Sequence, residues 1–577
     1  MIKVLRPYLK GFEKYAILGV ICIVAEAAIE IFMPFLMAKI IDYGIANKDI
    51  TYVVQLGIFM FVMSIISLLL GVAAARFSAL AGMGFGSQIR KGLFDKIQDF
   101  SFSNIDKFST ASLVTRCTTD VNNLQTTFLM LNKMAFRAPV MLICATIIAA
   151  SINMQLVWIF LIVIPILGVS LFFIIHKAFP KFEIMLQKYD NLNASVQENL
   201  ISIRVVKAFV RSVYEKAKFK QSNDALMQAS LKAEKIVIFN MPIMQLASYF
   251  CIITILWFGG NMVIGGTMLT GELISFIAYV TQILMSLLMI SMVFVNVLIS
   301  SASMERIVEV FNEPIDICDG EDVQLHEVHD GSIRFENVAF SYKKDSEEYV
   351  LKNINLSIAS GETIGILGGT GSSKTSLVQL IPRLYDTSFG NVYVGGRNVK
   401  EYSLHSLRDA VAMVLQKNTL FTGTIAENLR WGNEHATQEQ LEEACKAACA
   451  HDFITSFPHG YETELEQGGG NVSGGQKQRL CIARALIKKP KIIILDDSTS
   501  AVDTTTDANI RKAFRENLKD TTTIIIAQRI SSIQDADRIL VLEDGQIQAI
   551  GTHDELLQNN QIYQEVYYSQ QKGVMHE

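Results

Sequence analysis

Ile364-Gly365-Ile366-Leu367-Gly368-Gly369-Thr370-Gly371-Ser372-Ser373-Lys374-Thr375 reads as a short apolar strand, a glycine-rich turn and the opening of a helix. Backbone N–H groups of such a turn, together with the helix N-terminus, form a cradle for phosphate oxygens. Gly368, Gly369, Thr370, Gly371, Ser372 and Ser373 make up the cradle, and Ser376 follows in the first helical turn. Lys374 is placed to reach the β- and γ-phosphates of ATP, and the Thr375 hydroxyl to bind Mg2+. Ser373 stands where the pattern has glycine. The loop keeps its N–H donors, so ATP binding is expected to survive. The plain alternative is a chance glycine-rich turn, which rarely comes with the strand, the Lys, the Thr and the helix together.

Outward from this loop, the chain is too long for one ordinary domain at 577 residues. Half of it is hydrophobic, only 19% is charged, and the mean hydropathy is +0.31. Such a composition calls for membrane segments. The net charge of -5 says little about partners. Eight cysteines are scattered without a CxxC pair. Cys445 and Cys449 fall on one face of an alanine-rich helical pattern, with His451 close by. A metal site there lacks a fourth ligand, so reduced cytosolic thiols are the plainer reading.

Six runs are long and apolar enough to cross a bilayer: Tyr15–Ile40, Thr51–Ala75, Met134–Ala150, Leu156–Ile175, Val237–Ile264 and Leu273–Ser300. The first is too long for a secretory signal peptide, and none is expected. Connections near 42–50, 151–155 and 265–271 are short and carry Lys48 as their one Lys or Arg, whereas those over 76–133 and 176–235 are long, helix-like and rich in Lys and Arg. Positive charge stays inside, so the long loops and both termini are expected in the cytoplasm.

Several stretches resemble the ATP-binding-cassette (ABC) exporter family. Phe108-Ser109-Thr110-Ala111-Ser112-Leu113-Val114-Thr115-Arg116 with Asp120 resembles its first intracellular loop, and Gln197 to Phe209 its second. In the family such loops end in short coupling helices that dock on the ATPase domains. Ala302-Ser303-Met304-Glu305-Arg306-Ile307 resembles the exit from the sixth span. The segment 312–330 is acidic, carries Pro314 and Gly320, and reads as a linker. From Gly331 onward short apolar strands alternate with helices. The expected fold is multidomain: an all-α six-helix transmembrane domain over 1–311, the linker, and an α/β P-loop nucleotide-binding domain over 331–577.

The resemblance implies roles for further residues. Tyr342 stands at the aromatic position that stacks on adenine, although an aromatic beside a strand is more often core. Gln416 matches the Q-loop glutamine and Asp496 the Walker B carboxylate, so the implied Mg2+ set is Thr375, Gln416 and Asp496. Two positions depart from the family. Asp497 stands where the catalytic Glu is expected, and Gln528 where a His would bridge to the γ-phosphate. Asp is one methylene shorter, and Gln cannot titrate. Ser473-Gly474-Gly475-Gln476, preceded by Val472 in place of the commoner Leu, keeps the signature core that closes over a partner's nucleotide. Ser500-Ala501-Val502-Asp503 is close to the D-loop pattern. A slow own site beside an intact lid for a partner implies one half of a heterodimeric bacterial exporter, whose other half carries the consensus site.

The expected setting is the bacterial cell membrane, with the lipid bilayer and no nucleic acid as partner. The expected substrates are amphipathic small molecules, lipids or peptides. Glu26 and Glu30 lie mid-span and one turn apart, where charge is costly. They either attract cationic substrates or pair internally with Arg137. Phe276, Tyr279, Gln282, Met285, Met289, Met292 and Phe294 of the last span suit apolar substrates, although helical spacing equally suits packing. An ATP-gated channel or a lipid flippase on the same scaffold is the alternative. The lack of a long insert between the domains favours the exporter, and the six spans exclude a soluble DNA-repair ATPase.

Overall fold

The computed structural model describes residues 1–319, 327–343, 348–497 and 503–574. They form two compact units, Met1–Gln98 with Thr110–Glu313, and Asp99–Ser109 with Pro314–Glu577.

In the first unit, six helical segments are long and apolar enough to cross a membrane: Glu13–Ile45, Ile50–Gln98, Thr110–Ile152, Trp158–Ile201, Ser212–Ile264 and Thr270–Asn312. The second runs 49 residues. At about 1.5 Å per residue it is roughly 70 Å long, over twice a hydrocarbon core of about 30 Å. Helical structure therefore continues well into the charged connections. Leu156 and Val157 lie in the turn before the fourth segment, and the fifth is interrupted at 238–239.

Small and aromatic side chains interlock in the core of this unit. Ala27, Ala145 and Ile31 are fully buried, and the Phe160 and Phe276 rings stack at 5.3 Å. The Tyr279 hydroxyl donates to the Ile31 carbonyl at 3.0 Å, which meets the polar end of a buried ring. Asp42 accepts from the backbone N–H of Gly271 at 2.6 Å and of Glu272 at 3.1 Å, capping the start of the sixth segment from the end of the first. At the opposite end of that segment, Asp120 is completely buried. It accepts from Ser303 Oγ at 2.9 Å and from Arg306 Nε at 2.8 Å. Arg116 donates to the Arg306 carbonyl at 2.6 Å and pairs with Glu309 at 2.8 Å. The loop and exit motifs, far apart in sequence, thus form one polar network.

Residues 99–109 require a correction to the expected boundaries. They lie within 1–311 but cluster with the second unit. Phe102–Phe108 is a short helix whose N-cap, Ser101, donates to Asp316 at 2.5 Å, as does Ser103. The Phe102 ring meets Tyr385 edge-on, and Tyr385 donates to Asp106 at 2.7 Å. Three aromatics in this stretch, Phe100, Phe102 and Phe108, give it a face to bury. A second short helix, Ile203–Ala208, lies within the second loop.

The remainder of the second unit holds two main sheets. A six-stranded sheet runs in the order 546–551, 538–543, 363–367, 522–526, 492–496 and 411–414, parallel except for the antiparallel 546–551 edge. Every residue of Ile492–Asp496 and Thr522–Ile526 is buried, as expected for parallel strands covered on both faces. A four-stranded antiparallel sheet is built from 351–358, 333–340, 389–394 and 397–398. The linker residues 320–326, Gly320 among them, lie outside the described residues, as do Ser500, Ala501 and Val502 of the D-loop. Cys445 and Cys449 do not share a helix face. The helix ends at Ala447, and Cys449 sits in a left-handed turn at φ 52°. No group of three or more His, Cys, Asp or Glu side chains that could hold a metal ion occurs among the described residues.

Candidate functional site

Parallel register assembles the site. Ile366 pairs with Ile526, and Ile526 with Asp496, so the carboxyl ends of three neighbouring strands finish at one level. The P-loop follows the strand of Ile366, Gln528 that of Ile526 and Asp497 that of Asp496, while Gln416 follows the adjacent Val411–Val414 strand. Ligands of open α/β sheets bind at this edge. A cleft of about 340 Å³ opens there. Thr370 to Ser376, Gln416, Asp496, Asp497 and Gln528 line it, together with Val350, which sequence reasoning did not single out.

The loop is shaped by its smallest residues. A Cβ on Gly368 would meet the Leu542 carbonyl and, at 2.5 Å, Ser372 Oγ. Gly371 has φ +88°. Ser373 has φ 72°, a left-handed conformation that glycine adopts without cost and an L-residue does not. The helix starts at Lys374. The ammonium of Lys374 folds over the loop and donates to the carbonyls of Gly368 at 2.8 Å and Gly369 at 2.7 Å. Burial lowers its pKa, opposed by the carboxylates of Asp496 and Asp497.

Thr375 Oγ1 donates to Asp496 Oδ2 at 2.8 Å, and Asp496 is almost wholly buried. Burial raises its pKa. Together with the Gln416 amide oxygen these are hard oxygen donors, the kind that Mg2+ takes. The set therefore fits that ion.

Asp497 and Gln528 touch each other. Gln528 Nε2 donates to Asp497 Oδ2 at 3.1 Å. Asp497 has φ 49°, and its N–H donates to the Ile526 carbonyl at 3.0 Å. Burial raises the pKa of its carboxyl, while Lys374, Gln416, Arg529 and Gln528 pull it down. Asp497 is thus held between two amide side chains.

Tyr342 lies just beyond its strand, with its hydroxyl 2.8 Å from Ser376 Oγ and its ring edge-on to Tyr385 at 5.1 Å. Tyr385 was not anticipated from the sequence; the one signal was an aromatic ten residues past Thr375. The structure runs unbroken from Ser376 through Tyr342 and Tyr385 to Asp106 of the short helix. Ser473-Gly474-Gly475-Gln476 does not line this cleft. It opens the helix Gly474–Ile487, with Ser473 and Gln476 in a reciprocal capping box.

Six membrane-length helices joined to a P-loop α/β domain define a membrane-bound nucleotide-binding protein. Residues 16–287 match the family described as ABC transporter transmembrane region, and residues 351–500 that described as ABC transporter. The uncharacterized ABC transporter ATP-binding protein YfiB of Bacillus subtilis is 38% identical over 98% of this chain and 97% of its own length. Rv1273c of Mycobacterium tuberculosis, of the same description, is 34% identical over 99% of this chain and 98% of its own. The chain belongs to the ABC transporter family. The structure of a bacterial Atm1-family ABC exporter with ATP bound superposes with a TM-score of 0.85 at 24% identity, covering 96% of this chain and 99% of that one. That likeness is one of fold.

Proposed function

We propose that this chain is one half of a heterodimeric ABC exporter that moves amphipathic drugs, lipids or peptides across a bacterial cell membrane at the expense of ATP. Both termini lie in the cytoplasm. The supporting observation is the contrast within the second unit. Asp497 and Gln528, the two departures, are joined at 3.1 Å. Ser473 and Gln476 meanwhile keep a fully capped helix start. A carboxylate that is one methylene short and engaged by amides is a poor acceptor for the proton of an attacking water. The capped glycine segment is suited to close on a γ-phosphate held by the other half.

In this reading Tyr342 stacks on adenine, Lys374 leaves its loop carbonyls for the phosphates, and Thr375, Gln416 and Asp496 hold Mg2+. When bound, that ion neutralises charge on the β- and γ-phosphates. Two ATPs sandwiched between the two cassettes drive the short loop helices and open the membrane cavity outward. Hydrolysis at the partner's site resets the cycle, while this site retains ATP longer. The test is ATP turnover of the reconstituted pair. Changing the partner's catalytic Glu to Gln should abolish fast turnover, and Asp497→Asn in this chain should leave most of it. Fast turnover that survives the partner's change contradicts the assignment. Sustained ATP-gated current would favour a channel instead.

A further inference from the structure

A cavity of about 520 Å³ opens in the membrane unit between the first, second, third and sixth helical segments. Ile23, Glu26, Gly71, Lys133, Arg137 and Met289 are among the residues around it. Arg137 Nη1 pairs with Glu26 at 3.1 Å, and Nη2 pairs with Glu30. Arg137 Nε is buried without a hydrogen-bond partner among the described residues. Gly71 makes room for this arrangement, since a Cβ there would stand 3.1 Å from Glu26 Oε1. Two carboxylates on one guanidinium leave one negative charge in excess. Lys133 precedes Arg137 by four residues, about one helical turn or ~5–6 Å along the axis. It is exposed and forms no ion pair among the described residues. Lys133 and Glu26 both line the cavity, so it carries a positive charge without an ion pair beside a cluster with one surplus negative charge, next to an apolar wall that includes Leu68 and Val72.

We infer that this cavity binds a zwitterionic amphiphile, with its anionic group on Lys133, its cationic group toward Glu26 and Glu30, and its apolar chain along Leu68 and Val72. The inference deepens the transport reading and rests on it for the word substrate. The ammonium of Lys133 is exposed and the Glu26 and Glu30 carboxylates are partly so, and each can form a charge-assisted contact with a ligand group of opposite sign. A simple cation would leave Lys133 unanswered, and a simple anion would face the surplus carboxylate. A ligand that carries both charges answers both. The volume lies in the ordinary range for small-molecule sites.

The experiment uses the full-length chain with its partner half in a nonionic detergent. Binding of three dansylated dodecyl probes is compared: a phosphoethanolamine, a phosphate and an ammonium. The wild type should hold the zwitterion at least ~10-fold tighter than either singly charged probe, since a charge-assisted contact is lost with each. Lys133→Gln should reduce zwitterion binding to about the level of the ammonium probe. Glu30→Gln keeps the Arg137–Glu26 pair and removes the surplus charge, so binding should fall to about the level of the phosphate probe. Thermal unfolding of the same samples separates binding loss from misfolding. Equal affinity for the three probes overturns the inference, as does a folded Lys133→Gln variant that keeps the full zwitterion preference. Zwitterion binding without ATP-driven transport would defeat the transport reading and leave the site standing.

Discussion

Making both changes Asp497→Glu and Gln528→His in this chain should raise ATP hydrolysis at its own site by about 10²-fold or more, and each change alone should do far less. The longer side chain advances the carboxylate by about 1.5 Å, one C–C bond. Misplacement of about 1 Å costs on the order of 10²-fold, and a positioned general base contributes about 10²–10⁴-fold. Gln528 already lies 3.1 Å from the Asp497 carboxylate. A glutamate extended toward the cleft runs into that amide and must swing aside, so Asp497→Glu alone should gain only about 10-fold. Gln528→His alone leaves a short, engaged carboxylate as neighbour and should gain little. The two changes should therefore couple by about 1–2 kcal/mol, within the range for residues in contact. The assay is single-turnover hydrolysis in an assembly whose other site has been silenced. Strictly additive effects would refute the idea that the two side chains act as a unit. A wild-type rate equal to that of the double variant would refute the slow-site assignment itself.

Ser373→Gly should relieve about 1–2 kcal/mol of left-handed strain, offset by roughly 0.5–1 kcal/mol of added freedom in the unfolded chain, for a net gain of up to about 1.5 kcal/mol in nucleotide-free thermal unfolding. A clear loss of stability would contradict that account of the loop. Asp42→Ala should leave the amides of Gly271 and Glu272 without their acceptor and cost about 1.5–3 kcal/mol, seen as a lower Tm in detergent. Tyr385→Phe should keep the ring contacts but lose the bond to Asp106, costing about 1 kcal/mol and speeding amide exchange in Phe102–Phe108. Burial raises the Asp496 and Asp497 carboxyls, so the folded state holds these protons more tightly than the unfolded one. This contribution to nucleotide-free stability is present at low pH and is lost as pH rises through the raised carboxyl range. Mg2+ needs the ionised form. The thermal shift given by Mg2+ and ATP should thus grow from pH 5 to pH 7.5, and a shift that shrinks would contradict the assigned ligand set.

Local pattern accounts for what could be read from the residues alone. Strand, glycine turn, Lys374 and Thr375 are contiguous, so their chemistry is written in order along the chain. Membrane-length segments announce themselves by run length, because hydrocarbon tolerates few charges over 20 residues. Asp497 and Gln528 were visible as unusual side chains at recognisable places. Their contact was not, because it depends on the register of two parallel strands whose residues are 31 apart. Distance in sequence hid the other decisive features too. Arg137 reaches Glu26 across 111 residues and Glu30 across 107, and Asp120 meets Arg306 across 186. Residues 99–109 meet the second unit through Asp316 and Tyr385, more than two hundred residues further along the chain. Residue type and spacing determined which groups this protein has to work with. Only tertiary packing decided which of them neutralise one another, because a charge or an amide is spent by its nearest neighbour in space, and sequence order does not specify that neighbour.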